Sequence, residues 1–517
     1  MSNTPRPSVA ELLESLLLPA CGLAAILIGV VGLGRFLRLD EANSVIIASS
    51  SLGQLFEYLR NDNNLPFYYL LLQGWIRLAG ISEWAVHLPS VVFYLLAIVT
   101  TSWLGWEASG TRYGARYSAF FYLVSLQAIH QAQKTRMYSL LGLLAGLSTL
   151  LFLRVWFRDK MSKRDWALYV LVNAVGAFVH VWYFFVLIGH AACALIFQPK
   201  KIWLWAGAMA AAVLPFLLLW ARYLPHQAKI GAVDWMPRVR LSFFPGVFGE
   251  FYGGMRWGWT FLFGVMIICL FGKRGEDWQD RFPSRGVMAT ATIAIVCTIM
   301  PLLVSLVRPI YWPGRYTMIA LPAFATALGC LVAVLGSPPL RVAFAYGVLL
   351  TVIVLHVRTR TEVFETSSNV FQEKESDKPA TLELCEITHP GDTLVFTGLS
   401  RAGVEYYFRR LNCGRDLVLV SVPSDTARHL GWARQETPEE LQAEAHVIVQ
   451  QFTTENLEGR RLWVVLERGK TSDALTETLS RSLNPVGVDA LRGSFFDEVR
   501  AFTPKTHTQP TSPVSLR

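Results

Sequence analysis

Between residues 12 and 358 the chain repeats one pattern, an apolar run of up to about twenty residues followed by a polar connector, and that is the length a helix needs to cross a bilayer. Inside lipid every backbone amide must find its partner within the protein, so runs of this kind fold as α-helices. Spans are expected at 12–34, 86–106, 117–133, 137–156, 166–178, 181–198, 202–222, 259–272, 287–307, 316–336 and 341–358. The stretch 166–198 is too long for one crossing and is divided near His180, where Gly176 and His180 mark the bend. About 11 crossings put the two ends on opposite faces of the membrane. Composition agrees, since 53% hydrophobic residues, 16% charged residues and 17 Trp in 517 exclude an ordinary soluble enzyme. A polytopic α-helical membrane protein is expected, with membrane lipids as neighbours and no nucleic-acid partner.

The flank of the first run, from Glu11 to Glu14, is acidic rather than basic, which marks a retained span and not a secretory signal. Basic residues crowd the loops at 154–165, 198–201 and 272–285, and the positive-inside rule makes these cytoplasmic. The outer side then carries two long loops, 35–85 and 223–258. In the first, the apolar stretch 66–79 is too short to span and suits a helix lying on the membrane surface. In the second, Gly253-Gly254 and several Trp suit a mobile lid. The outer side also holds many arginines, among them Arg35, Arg38, Arg136, Arg238, Arg240, Arg308 and Arg315. With a net charge of +9, they answer to anionic lipid headgroups, to an anionic substrate, or simply to solvated loop faces, and their placement has to decide.

After residue 359 the apolar runs shorten to strand length, at 392–398, 416–423, 461–467 and 496–504, separated by polar stretches compatible with helices. This predicts a small α/β domain over 359–504, outside the cytoplasm and accessory, followed by a disordered tail at 505–517. An amphipathic helix is expected at 401–411, with Val404, Tyr407, Phe408 and Leu411 on one side. The order strand, glycine loop, helix around Gly398 has neither GxGxxG nor GxxxxGK[ST] spacing, so it specifies no phosphate cradle. Cys385 and Cys413 either pair in an oxidising compartment or remain buried thiols.

Three outer segments concentrate chemistry. "LDEANS" places Asp40 and Glu41 just past the first span, where an Asp suits a helix N-cap and a Glu the first turn. "QAIHQAQKTRMYSLL" places Lys134, Arg136 and Tyr138 in a tight turn between two helices, and "RPIYWPGRYTMIALP" places Arg308 and Arg315 around a rigid turn. Snorkelling to the headgroup zone accounts for any one of these cations alone.

Together the segments resemble the GT-C superfamily of integral-membrane glycosyltransferases, and within it the bacterial relatives of dolichyl-phosphate-mannose protein mannosyltransferases and of the lipid A aminoarabinose transferase. The resemblance covers most of the chain to about residue 336. "LDEANS" is similar to the first-loop motif LDEAxS, "DNNLPFYYLLLQGW" to DxHPPxYYLLLxxW, "QAQKTRMYSLL" to YSQEARMYxLL, and "RPIYWPGRYTMIALP" to a late Arg-Tyr motif. Asn64 and Leu65 replace the usual His and Pro, and Lys134 replaces the usual Glu, departures that bear on the donor sugar and on metal use.

The resemblance implies transfer of a hexosyl or pentosyl group from a polyprenyl-phosphate donor to a protein, glycolipid or polysaccharide acceptor, at the outer face of the cytoplasmic membrane. Asp40 would serve as general base, with Glu41 positioning it or binding acceptor. Arg136, Lys134, Tyr138 and Arg315 would bind the donor phosphate, and Asp62, Asn64 and His180 are candidate substrate contacts. His180 on its own reads better as a hydrogen-bonded interfacial histidine. Cations on the phosphate remove the need for an obligate metal, although Asp40, Glu41 and Asp62 offer oxygen ligands for a divalent ion. A transporter or flippase of lipid-linked sugars shares the gross features, but its mark would be ionisable groups at mid-membrane, and here they gather at one rim. An inactive scaffold of the same family is the third reading, raised by Lys134 and Asn64.

Overall fold

A computed structural model describes residues 8–158, 162–230, 236, 238–241, 243–252, 285–335, 338–359, 376–434, 436–454, 459–468, 473–489 and 491–505. The expected span at 259–272, nearly all of the basic loop at 272–285, the pair Gly253-Gly254 and the tail after 505 lie outside these residues. The chain divides into two compact units, Met1–Arg35 with Asn63–Phe371, and Phe36–Asp62 with Gln372–Arg517.

The first unit is helical. Its described helices are α1 (Val9–Gly32), α4 (Pro66–Ala79), α5 (Glu83–Ser109), α6 (Arg112–Leu123), α7 (Leu126–Ala132), α8 (Tyr138–Phe157), α9 (Lys163–Ala177), α10 (Tyr183–Phe197), α11 (Ile202–Leu219), α12 (Leu224–Lys229), α13 (Phe243–Glu250), α14 (Arg285–Val307), α15 (Leu321–Ala333) and α16 (Pro338–Thr359). Among the described residues five helices are long and apolar enough to cross a membrane: Val9–Leu27, Glu83–Ser109, Tyr138–Phe157, Pro199–Leu219 and Arg285–Val307. Tyr183–Phe197, Leu321–Ala333 and Pro338–Val354 are shorter apolar helices. The chain is a multi-pass membrane protein.

Local chemistry sets the ends of these helices. The Ser8 hydroxyl accepts from Glu11 N–H at 3.3 Å while the Glu11 carboxylate accepts from Ser8 N–H at 2.8 Å, a reciprocal cap that starts α1. The expected crossing at 117–133 is broken into α6 and α7, because Ser125 turns its hydroxyl to the backbone, accepting from Ala128 N–H at 3.3 Å and donating to Phe251 O at 2.8 Å. The long stretch 166–198 is interrupted between Ala177 and Tyr183, where the sequence placed the bend.

Small residues let the helices close on one another, as lipid-embedded interfaces require. A Cβ on Gly329 of α15 would fall 2.2 Å from Ser118 N of α6, so only glycine permits that approach. Within this apolar surrounding Glu14 of α1 forms a bidentate pair with Arg341 of α16, at 2.8 and 3.1 Å, and accepts from the Tyr117 hydroxyl of α6 at 2.8 Å. Each buried charge is thus paired and hydrogen-bonded.

The second unit joins α2 (Leu39–Ser49) and α3 (Leu52–Arg60) to the C-terminal residues, α17 (Asp377–Ile387), β1 (Thr393–Thr397), α18 (Arg401–Leu411), β2 (Val418–Val422), α19 (Pro438–Thr454), β3 (Leu462–Glu467), α20 (Asp473–Ser482), β4 (Leu483–Asp489) and β5 (Phe496–Pro504). The sheet order is β2-β1-β3-β5-β4, with β1 parallel to both β2 and β3, and β5 antiparallel to β3 and β4. Alternate residues of β1 and β3 face opposite cores. Leu394, Phe396, Trp463 and Val465 pack with Ala380, Leu384, Val404 and Phe408 of α17 and α18. Val395, Leu462, Val464 and Leu466 pack with Ile448 and Phe452 of α19 and with Leu475 and Leu479 of α20. All four expected strands and the helix 401–411 are present. The added strand is β4, whose Pro485 and Gly487 interrupt the alternation and whose register shifts between those residues, as suits an edge.

Two sequence-level alternatives are resolved in this unit. Cys385 and Cys413 form a disulfide, their Cα atoms 5.9 Å apart. At the glycine loop after β1, a Cβ on Gly398 would strike the Glu467 carboxylate, and Gly398 N–H donates to Val422 O at 2.8 Å. A carboxylate at that loop is incompatible with a phosphate cradle.

Candidate functional site

Asp40 and Glu41 both lie in the first turn of α2, and their surroundings divide their roles. The N-cap of α2 is Arg38 and not Asp40, and the group that meets the cap amide is Glu41, whose Oε2 accepts from Arg38 N–H at 3.2 Å. Glu41 is buried at 1% exposure, whereas Asp40 stays partly exposed. Capping therefore falls to the second carboxylate. The Ser44 hydroxyl donates to Asp40 O at 2.7 Å, tightening the turn. Helix α2 packs on α18 of the sheet region, so the acidic motif is held by the same compact unit as the C-terminal strands. Asp62, just past α3, is buried, and the backbone at Gly431 runs beside it and beside Asn43: a Cβ there would lie 2.7 Å from Asn43 Nδ2 and 4.0 Å from Asp62 Oδ2. Among the described residues no group of three or more His, Cys, Asp or Glu side chains could hold a metal ion, so Asp40, Glu41 and Asp62 do not assemble into such a cluster.

In the helical unit, the turn between α7 and α8 carries Lys134 and Arg136, buried at 9% and 7% exposure. The turn is pinned through its carbonyls: Ser90 Oγ donates to Lys134 O at 2.5 Å and Arg35 Nε to Gln133 O at 2.6 Å. The Arg136 guanidinium donates to the Tyr69 hydroxyl at 3.2 Å and to Asn64 Oδ1 at 3.4 Å, and lies 5.8 Å from the Tyr138 ring centroid. These two hydrogen bonds orient the guanidinium.

Tyr138 leads into an aromatic cluster. Its ring lies 6.0 Å from His180 and 5.9 Å from Tyr316, while Tyr316 stacks on Trp182 at 4.9 Å. His180 is buried, and its Nδ1 accepts from Trp182 N–H at 3.1 Å. Burial, reinforced by the Arg136 charge, pushes its pKa down to about 3, so it is a neutral acceptor and ring surface. Arg315 is half-buried next to Tyr316, its guanidinium 6.0 Å from the Trp312 ring. The fold thus gathers Arg136, Tyr138, Asn64 and His180, and brings the turn bearing Arg315 to the same aromatic cluster.

Sequence reading overlooked Glu250, Gln127, Gln131 and Tyr69. Glu250, at the end of α13, hydrogen-bonds the Tyr311 hydroxyl and accepts from Gly314 N–H at 3.0 Å and Thr317 Oγ1 at 3.2 Å. Burial raises its pKa to about 8 against the pull of the Gly314 and Thr317 hydrogen bonds, which leaves it protonated at neutral pH. The available signal was a lone carboxylate in the aromatic run "FFPGVFGEFY".

No protein-family model matches the sequence, and no curated protein matches it. Among solved structures, ArnT from Cupriavidus metallidurans bound to undecaprenyl phosphate is similar over 93% of this chain and 97% of that one, with a TM-score of 0.61 at 14% identity. The apo form of the same protein is similar over 94% and 98%, with a TM-score of 0.62 at 13% identity. At these identities the likeness is one of fold.

Proposed function

We propose that this chain transfers a sugar from a polyprenyl-phosphate donor to an acceptor at the outer face of the cytoplasmic membrane, with inversion at the sugar carbon. The observation that carries the reading is the Arg136 guanidinium, oriented by the neutral groups Tyr69 and Asn64 in a pinned turn between two helices. A buried guanidinium in a turn that also carries the buried Lys134 is suited to an anionic ligand. The fold shared with ArnT and the undecaprenyl phosphate bound by ArnT support a lipid-phosphate donor.

In this reading the acceptor hydroxyl gives its proton to Asp40 as its oxygen forms the new bond to the sugar carbon. The bond from that carbon to the phosphate oxygen breaks, and its electron pair leaves with the lipid phosphate. Arg136, Lys134 and Arg315 stabilise the growing negative charge, and Tyr138 and His180 form the wall beside it. Asn64 orients Arg136, Glu41 holds the start of α2, and Asp62 contacts the acceptor. The Cys385–Cys413 disulfide favours an oxidising, extracytoplasmic location for the sheet region.

Mass spectrometry of envelope glycans and glycoproteins from a deletion strain tests the proposal. A missing sugar restored by the wild-type gene and not by an Asp40→Asn gene supports it. An unchanged glycan profile overturns it.

A further inference from the structure

We propose that Glu250 is a positioning residue that sets Arg315 for the donor phosphate, acting with Gln127 and Gln131 of α7. The inference rests on the phosphate-binding reading of Arg315 and adds a residue that the motifs do not include.

Arg315 sits inside a turn gripped on both sides of it. Before it, Tyr311 and the N–H of Gly314 bond the Glu250 carboxyl group, and after it Thr317 Oγ1 bonds Oε2 of the same group. One side chain thus ties three points spaced three residues apart. The peptide carbonyl entering Arg315 is that of Gly314, and it accepts from Gln131 Nε2 at 2.6 Å. Gln127 Nε2 donates to Thr317 Oγ1 at 2.7 Å, so that hydroxyl is directed at the carboxyl group. Gly314 has φ 73°, a left-handed conformation that needs such restraint to serve as a fixed entry to its neighbour.

Gln127 and Gln131 are four residues apart on α7 and face the same way. The chain leaving α7 runs directly into Lys134 and Arg136. The same helix therefore ends in one cationic turn and holds the backbone of the other, which fixes Arg315 in register with Arg136. Glu250 is buried at 7% exposure and closes the node from α13. Its burial inside a site that needs cations fits its protonated form, since a carboxylate there would compete with the phosphate for Arg315.

The test is undecaprenyl phosphate binding to the full-length protein in detergent, with hydrogen exchange of the peptide spanning 308–320 measured alongside. Glu250→Ala is expected to weaken binding about tenfold and to speed exchange at Gly314. Arg315→Ala is expected to weaken binding by a similar factor, and the double variant no further than Arg315→Ala alone. Glu250→Gln, which keeps the shape of the protonated acid, should restore both readouts. If Glu250→Ala does not fold, Gln131→Leu takes its place in the cycle with the same expectation of non-additivity. Losses that add, or unchanged binding with faster exchange, overturn the positioning role while leaving the phosphate reading intact. Failure of the wild-type protein itself to bind undecaprenyl phosphate overturns both.

Discussion

Asn64 accepts a hydrogen bond from Arg136 Nη2 at 3.4 Å, so the residue found where related motifs carry His here orients a buried cation. The departure from the motif thus has a structural use. Arg136→Ala should weaken undecaprenyl phosphate binding by about 10- to 100-fold, because a hydrogen bond to a charged group contributes about 1.5 to 3 kcal/mol. The exposed Arg240, changed to Ala, should cost less than about fivefold. Ligand titration of the two purified variants checks the contrast, and equal small losses would return Arg136 to ordinary snorkelling.

Asp40→Asn should leave folding intact and reduce sugar transfer by about 10² to 10⁴. The structure sharpens this test, since the cap of α2 is made by Glu41 and not by Asp40. Glu41→Ala should instead lower stability by about 1 kcal/mol or more, with activity falling in step with folded protein. Thermal melts paired with turnover separate the two, and an Asp40→Asn enzyme retaining over about a tenth of the wild-type rate would remove the base assignment.

The raised pKa of Glu250, about 8, gives a signed pH effect. Between its ordinary value, near 4.5, and about 8 the folded state holds a proton that the unfolded state has lost. Stability from this group therefore falls as pH rises through that window, by up to ~1.4 kcal/mol per unit. Glu250→Gln should flatten the decline. Melting temperatures of both proteins in detergent at pH 6 and pH 8 check it, and parallel shifts would show that Glu250 does not titrate there.

Glu14→Ala should destabilise the helical unit by about 3 to 5 kcal/mol, since it strands the buried Arg341 without its carboxylate. Replacing both with leucine should recover most of the loss. Unfolding in a denaturing detergent series reads this, and a double variant as unstable as the single one would show that the pair itself, rather than the stranded charge, holds α1 to α16.

Protease added to intact spheroplasts should remove the sheet region after residue 376, and thiol labelling of Cys385 and Cys413 should require prior reduction. Survival of that region until lysis would reverse the proposed orientation.

The sequence by itself determined what depends on periodicity and transfer free energy. Apolar runs of bilayer length specified the long helices, including the bend between Ala177 and Tyr183, and apolar runs of strand length specified four of the five strands. Short-range order also put Lys134 and Arg136 in one turn. Tertiary structure decided what depends on partners remote in the chain. Ser125 breaks α6 from α7 because Phe251 O, 126 positions away, accepts its hydroxyl. The cap of α2 passes from Asp40 to Glu41 because burial selects which carboxylate turns inward. Residues 36–62 join the sheet unit, although sequence order places them in an outer loop between helices, because α2 finds its packing surface on α18. Glu250 shows the difference most directly: in sequence it is one carboxylate in an aromatic run, and only the approach of Tyr311, Gly314 and Thr317 makes it a protonated, hydrogen-bonded node. Desolvation and hydrogen bonding act between neighbours in space, and a linear pattern records neighbours along the chain alone.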